Sequence, residues 1–217
     1  MLPILLAIMA VSQPATPDVA RAAKWEKEIV AIEKRLAEKP PAKGGVFFAG
    51  SSTMRLWDVK KAFPELNASN VGFGGSDIRD STTFAARILL PFEPKTILFY
   101  AGDNDIANKR TPEQVRDDYA AFTATIHAKL PKTQILFLAI KPSVSRWKLY
   151  EVQKKANEFV KQSCMKNPLL KYIDTIPATL GSDGTPDPEL LMKDGLHLSE
   201  KGYAKWNDLV RTALKDS

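Results

Sequence analysis

The chain of 217 residues contains one cysteine, Cys164, and two histidines, His127 and His197. A single thiol cannot close an internal disulfide or supply a thiolate metal cage, so neither kind of staple supports this fold. Cys164 is expected to be a buried structural thiol. Two histidines exclude a His-rich metal cluster, and any chemistry that uses an imidazole must fall on one of the two. Runs of one charge sign are also missing. The net charge is +6 and the pI about 9.3, yet Lys and Arg alternate with acids, as in KWEKEIVAIEKRLAEK. Phosphate tracking needs clustered cations, so no nucleic-acid partner is expected.

No apolar run is long enough to span a bilayer. The nearest is MLPILLAIMAVSQPA, residues 1–15, without a charged side chain and with an apolar core from Leu2 to Val11. It resembles the apolar region of an export signal, with Ala10 and Ser12 at cleavage-site spacing and Ala15 as a further candidate. The expectation is a leader over residues 1–15, removed near Gln13 or Thr16, and no membrane span after its removal. The product would be a secreted or periplasmic protein.

What is present is an ordinary globular composition, 44% hydrophobic and 26% charged, of a length that suits one domain over residues 17–217. The stretch 16–41 predicts a helix: Asp18 can cap it, Trp25, Ile29, Ile32 and Leu36 follow helical spacing, and Pro40-Pro41 stops it. VFFAG (46–50), ASNVG (68–72), TILFYAG (96–102), QILFLAI (134–140) and KYIDT (171–175) read as strands. The strongest are continuous rather than alternating, as in parallel strands covered on both faces. Helical patterns fall at 54–63, 76–89, 111–130, 147–166 and 200–215. Alternating strand and helix with short connections predicts a three-layer α/β fold with a five-stranded parallel sheet.

In such a sheet, ligands bind beyond the carboxyl ends of the strands. The first strand is followed there by Ser51-Ser52-Thr53, the second by Phe73-Gly74-Gly75-Ser76, and the third by Asp103-Asn104-Asp105. Near the C-terminus, Asp194-Gly195-Leu196-His197 places a carboxylate close to an imidazole. Folding alone does not require a hydroxyl, a glycine amide and a carboxamide at one edge, but acyl transfer does. A serine needs a base, the base needs a carboxylate to orient it, and the developing oxyanion needs fixed neutral donors.

These blocks resemble those of the SGNH (GDSL-type) hydrolases, a flavodoxin-like family of esterases, lipases and deacetylases, across most of residues 44–212. The resemblance implies Ser52 as nucleophile within Gly50-Ser51-Ser52, Gly75 as the oxyanion glycine and Asn104 of Gly102-Asp103-Asn104-Asp105 as the second oxyanion donor. It implies His197 as base and Asp194 as the orienting carboxylate, with no metal or cofactor. The chain departs from the family where the usual Asp before the nucleophile is Ser51 and the following Leu is Thr53, so any charge that Asp contributes is missing beside Ser52.

Other readings compete at each position. Ser51 and Ser52 could cap the helix behind them. Gly74-Gly75 could make a plain tight turn, and its spacing is not that of a dinucleotide loop. Asp103 and Asp105 are too few for a Ca²⁺ site, and Asp105 is expected to tie down its own loop. His127 is expected on the surface near a helix C-terminus, and Trp57 and Tyr203 in packing. Arg146 and Trp147, after the fourth strand, are candidates for substrate contact. The function expected is a serine ester hydrolase for a small-molecule or carbohydrate ester, such as a carbohydrate O-deacetylase. The alternatives are a lysophospholipase or thioesterase of the same mechanism, a non-catalytic glycan-binding module, or a flavodoxin-like nucleotide or flavin binder.

Overall fold

The computed structural model describes residues 19–215, so the expected leader over residues 1–15 and the Asp18 cap lie outside the described residues. Helix α1 spans Val19–Glu38, and the four residues at helical spacing, Trp25, Ile29, Ile32 and Leu36, are all buried. Strand β1 (Val46–Gly50) leads into two single-turn helices, α2 (Ser52–Arg55) and α3 (Val59–Ala62). The pattern at 54–63 suggested one helix. It breaks where Trp57 turns into the core and the Asp58 carboxylate accepts the Lys61 N–H at 3.1 Å, capping α3.

Strand β2 (Ala68–Asn70) follows and is shorter than the run that predicted it. Next come α4 (Ile78–Ile88), β3 (Thr96–Tyr100), the short α5 (Asp103–Ala107) and α6 (Pro112–His127). At the start of α6, Gln114 N–H donates to Thr111 Oγ1 at 3.2 Å and Thr111 N–H donates to Gln114 Oε1 at 3.0 Å, so each satisfies an orphan donor of the other. Strand β4 (Gln134–Leu138), α7 (Tyr150–Cys164), β5 (Leu170–Ile173) and α8 (Glu200–Lys215) complete the chain. None of the described helices is long and apolar enough to cross a membrane.

The sheet has the order β2-β1-β3-β4-β5 and every pairing is parallel. This is the expected flavodoxin-like α/β fold. The continuous apolar strands are explained by their two buried faces. Phe47, Ile97, Phe99, Ile135 and Phe137 pack with residues of α1, α4, α6 and α7, while Phe48, Leu98, Tyr100, Leu136 and Leu138 pack with α2, α3 and α8. Burying one such side chain contributes roughly 1.5–3 kcal/mol. Cys164 is buried and free, its Sγ 3.7 Å from the Tyr119 hydroxyl, as expected of a structural thiol.

The chain leaves β1 toward β2 and returns past it to β3, so the direction of winding reverses between β1 and β3. Loops on the two sides of that reversal diverge and open a crevice at the carboxyl ends of the strands. One connection is not short. Between β5 and α8, residues 174–199 hold only a 3-10 turn at Pro188–Leu190 and the isolated bridges Leu180↔Pro186 and Leu191↔Leu198. That segment carries Asp194 and His197.

Candidate active site

Strand β1 ends at Gly50, where the backbone turns to φ +124. A Cβ there would lie 2.0 Å from the Tyr100 carbonyl oxygen, so only glycine fits against β3. The chain then places Ser51 at the N-cap of α2 and Ser52 in its first turn. Ser51 is buried, donates its backbone N–H to Tyr100 O at 2.9 Å, and makes no side-chain cap bond. Ser52 faces the other way: its Oγ lies 2.8 Å from His197 Nε2. The pair of adjacent serines is thereby divided into one that fastens the loop and one that meets the imidazole.

Asp194 organises the turn that carries the imidazole. Its Oδ1 accepts the backbone N–H groups of Leu196 at 2.9 Å and His197 at 3.0 Å, while its Oδ2 lies 2.6 Å from His197 Nδ1. One oxygen shapes the loop and the other orients the ring, so Nε2 is left toward Ser52. Burial alone would raise the Asp194 carboxyl, but the bonds from the His197 ring and the two backbone N–H groups outweigh it and bring the group down to about 2. The same turn is tethered from behind. Lys141, fully buried at the end of β4, donates from Nζ to the Leu196 carbonyl at 2.5 Å, and Ser145 N–H donates to Gly195 O at 3.0 Å. Burial pushes the Lys141 ammonium down, with Asp103 opposing that shift.

Gly75 and Asn104 meet across the neighbouring loops. A Cβ built on Gly75 would sit 3.8 Å from Asn104 Nδ2, so the two potential donors share one place. Gly74, at φ +38, lets this loop pass over Trp25, whose ring a Cβ would strike at 1.9 Å. Asn104 Nδ2 donates to the Ser76 carbonyl at 3.1 Å, and Ser76 Oγ donates to Phe73 O at 2.9 Å. Gly75 is exposed, and neither its N–H nor that of Ser52 has a protein acceptor among the described residues.

Arg146 lies at this edge with its guanidinium turned inward, Nη1 donating to Asp103 Oδ1 at 2.6 Å and Nη2 to Asn104 Oδ1 at 3.0 Å. Trp147 stays 37% exposed and stacks on Tyr150, ring centroids 4.7 Å apart. The flanking carboxylates of Asp103 and Asp105 face different partners, Asp105 Oδ1 accepting the Ile78 N–H at 3.1 Å. Among the described residues, no three His, Cys, Asp or Glu side chains gather as metal ligands do. His127 Nε2 lies 2.9 Å from Thr133 O, Trp57 is buried, and Tyr203 hydroxyl donates to Thr53 O at 2.7 Å behind the serine loop. Sequence reasoning missed the buried Lys141 and Gln153 behind the site, and the part Asp103 plays in holding Arg146. The one available signal was a lysine closing the apolar run ILFLAIK.

The chain is similar to known proteins in sequence and in fold. The model of the GDSL-like lipase/acylhydrolase family matches residues 55–205, a stretch that begins just after Ser52 and includes Gly75, Asn104, Asp194 and His197. The bovine (Bos taurus) platelet-activating factor acetylhydrolase IB subunit alpha1 is 29% identical over 168 residues, 73% of this chain and 69% of the relative. A solved structure from Streptococcus pneumonia superposes with a TM-score of 0.78 at 18% identity, covering 90% of this chain and 95% of that one. A catalytic mutant of an acetylxylan esterase from Geobacillus stearothermophilus gives a TM-score of 0.63 at 12% identity, over 79% of this chain and 94% of that one.

Proposed function

Because the chain belongs to the GDSL-like lipase/acylhydrolase family and is an ester-bond hydrolase, we propose that Ser52, His197 and Asp194 are its catalytic triad, with Gly75 and Asn104 in the oxyanion hole. The observation that carries this reading is the unbroken relay from Ser52 Oγ to His197 Nε2 at 2.8 Å and from His197 Nδ1 to Asp194 Oδ2 at 2.6 Å.

In the acylation step, Ser52 Oγ attacks the ester carbonyl carbon while its proton passes to His197 Nε2. Asp194, ionised across the working range, holds the Nδ1–H tautomer and steadies the imidazolium. The carbonyl oxygen becomes an oxyanion that accepts from the Gly75 N–H, the Asn104 side-chain N–H and the Ser52 N–H. Such donors are worth most when fixed beforehand in a site that water does not fill. The tetrahedral carbon then expels the alcohol, which takes its proton from His197. Water repeats the cycle on the acyl-enzyme and releases the acid.

The substrate class proposed is a small ester with a short acyl group, an acetylated carbohydrate in particular. The support is that the half-exposed Asp194 and the exposed Gly75 leave the crevice open rather than roofed for a long chain. Two similar proteins bear names that refer to acetyl esters. The proposed location is outside the cytoplasm, on the apolar leader. A series of p-nitrophenyl esters from acetyl to palmitoyl, run beside an acetylated xylooligosaccharide, tests the substrate class. A maximum at acetyl supports it, and a maximum at palmitoyl refutes it. Covalent labelling of Ser52 by a fluorophosphonate separates hydrolase from glycan-binding module.

A further inference from the structure

Asn104 is gripped at both ends of its side-chain amide. Nδ2 donates to Ser76 O at 3.1 Å, and Oδ1 accepts from Arg146 Nη2 at 3.0 Å. The two ends of a carboxamide are nearly equal in size, so packing alone does not choose between them. Turned over, Asn104 would present an oxygen lone pair where negative charge must develop. A guanidinium has five N–H donors and no acceptor, so it can face only the amide oxygen.

Arg146 is itself held. Its Nη1 donates to Asp103 Oδ1 at 2.6 Å, and that buried carboxylate also accepts from Gln153 Nε2 at 3.3 Å and Tyr100 hydroxyl at 3.4 Å. The planar fork thus spans two successive residues of the oxyanion loop, Asp103 and Asn104. A lysine ammonium is a single point and cannot hold both in this way. A cation on Oδ1 also polarises the amide and makes its N–H groups better donors.

We propose that Arg146 is a positioning residue for ester hydrolysis: it locks the orientation of the Asn104 amide so that an N–H faces the oxyanion, rather than contacting substrate. The inference rests on the assignment of Asn104 to the oxyanion hole.

The test is a double-mutant cycle with p-nitrophenyl acetate, with folding checked by thermal unfolding. Arg146→Met should lower kcat on the order of 10- to 100-fold through misaimed geometry, with KM within a few-fold. Arg146→Lys keeps an ion pair with Asp103 but cannot also span to Asn104, and should lose nearly as much. Asn104→Ala should lower kcat about 10²- to 10³-fold. The double variant Arg146→Met with Asn104→Ala should be no slower than Asn104→Ala alone, because Arg146 has then lost the group through which it acts. Losses that multiply in the double variant overturn the proposal. So does a rise in KM at constant kcat, the signature of direct substrate contact, or full turnover by Arg146→Lys. A silent Asn104→Ala is a different result: it removes the oxyanion assignment itself, and the role of Arg146 with it.

Discussion

Ser51 and Ser52 are chemically the same residue in different places. Ser51 is fastened by its backbone to Tyr100 and buried, whereas Ser52 Oγ is 2.8 Å from the His197 ring. Ser52→Ala should therefore lower kcat on the order of 10⁴- to 10⁶-fold, while Ser51→Ala keeps most of the turnover. Steady-state kinetics on both variants check this; a dead Ser51→Ala beside an active Ser52→Ala would move the nucleophile by one residue and redraw the site. Asp194 belongs to the same scale. Held down to about 2, it keeps its charge through mild acid.

At the scale of elements, the site is assembled from parts of unequal rigidity. Ser52 sits in the first turn of α2 just past β1, and Asn104 in the first turn of α5 just past β3, both fixed by the sheet. His197 instead lies in the irregular segment 174–199 and must be tethered to that framework. Lys141 does this from the end of β4, through the Leu196 carbonyl. Lys141→Met preserves much of the volume but removes the donor. The turn should loosen, and kcat should fall on the order of tenfold with KM little changed, as expected if the displaced His197 is the proposed base. Kinetics on the folded variant decide the matter, and an unaltered kcat would show that the Leu196 tether has no part in holding the base.

Two predictions concern the whole molecule. Burial, reinforced by the neighbouring Asp77 carboxylate, pushes the Asp105 carboxyl up to about 7, and its Oδ2 is buried without a partner. A carboxyl whose folded value is raised holds a proton that the unfolded chain has released. Its contribution is therefore most favourable below the ordinary Asp range, about 4, and is lost as pH rises toward 7. Asp105→Asn retains an oxygen to accept the Ile78 N–H and removes the charge. The variant should unfold at nearly the parent temperature at pH 4 but be more stable at pH 8, by on the order of 1–4 kcal/mol. Thermal unfolding at the two pH values checks the sign, and a variant less stable than the parent at pH 8 contradicts it. The second prediction follows from the proposed leader: N-terminal sequencing of protein from the native host should begin near Gln13 or Thr16, and an intact Met1 on cytoplasmic protein would refute export.

By itself the sequence determined the layers of the fold and pointed to the residues proposed for the site. Continuous apolar strands such as TILFY and QILFL leave no polar face, so helices must cover both sides of the sheet. Glycine ends β1 because the backbone there takes a positive φ and lies against the Tyr100 carbonyl. The break after Arg55 was not legible, because a helical apolar pattern does not reveal that Trp57 must turn inward to meet Phe48 and Trp206. The inward turn of Arg146 was equally hidden. Its direction depends on Asp103 and Asn104, which are distant in sequence and reach it only through the order of strands in the sheet. Lys141 follows the apolar run of β4 in sequence, and only the fold encloses it beneath the segment that follows β5. Local pattern records which face of an element is apolar. Which buried polar group meets which is settled only when distant loops converge on the same edge, since an unpaired buried donor or charge is costly and tertiary packing alone supplies its partner.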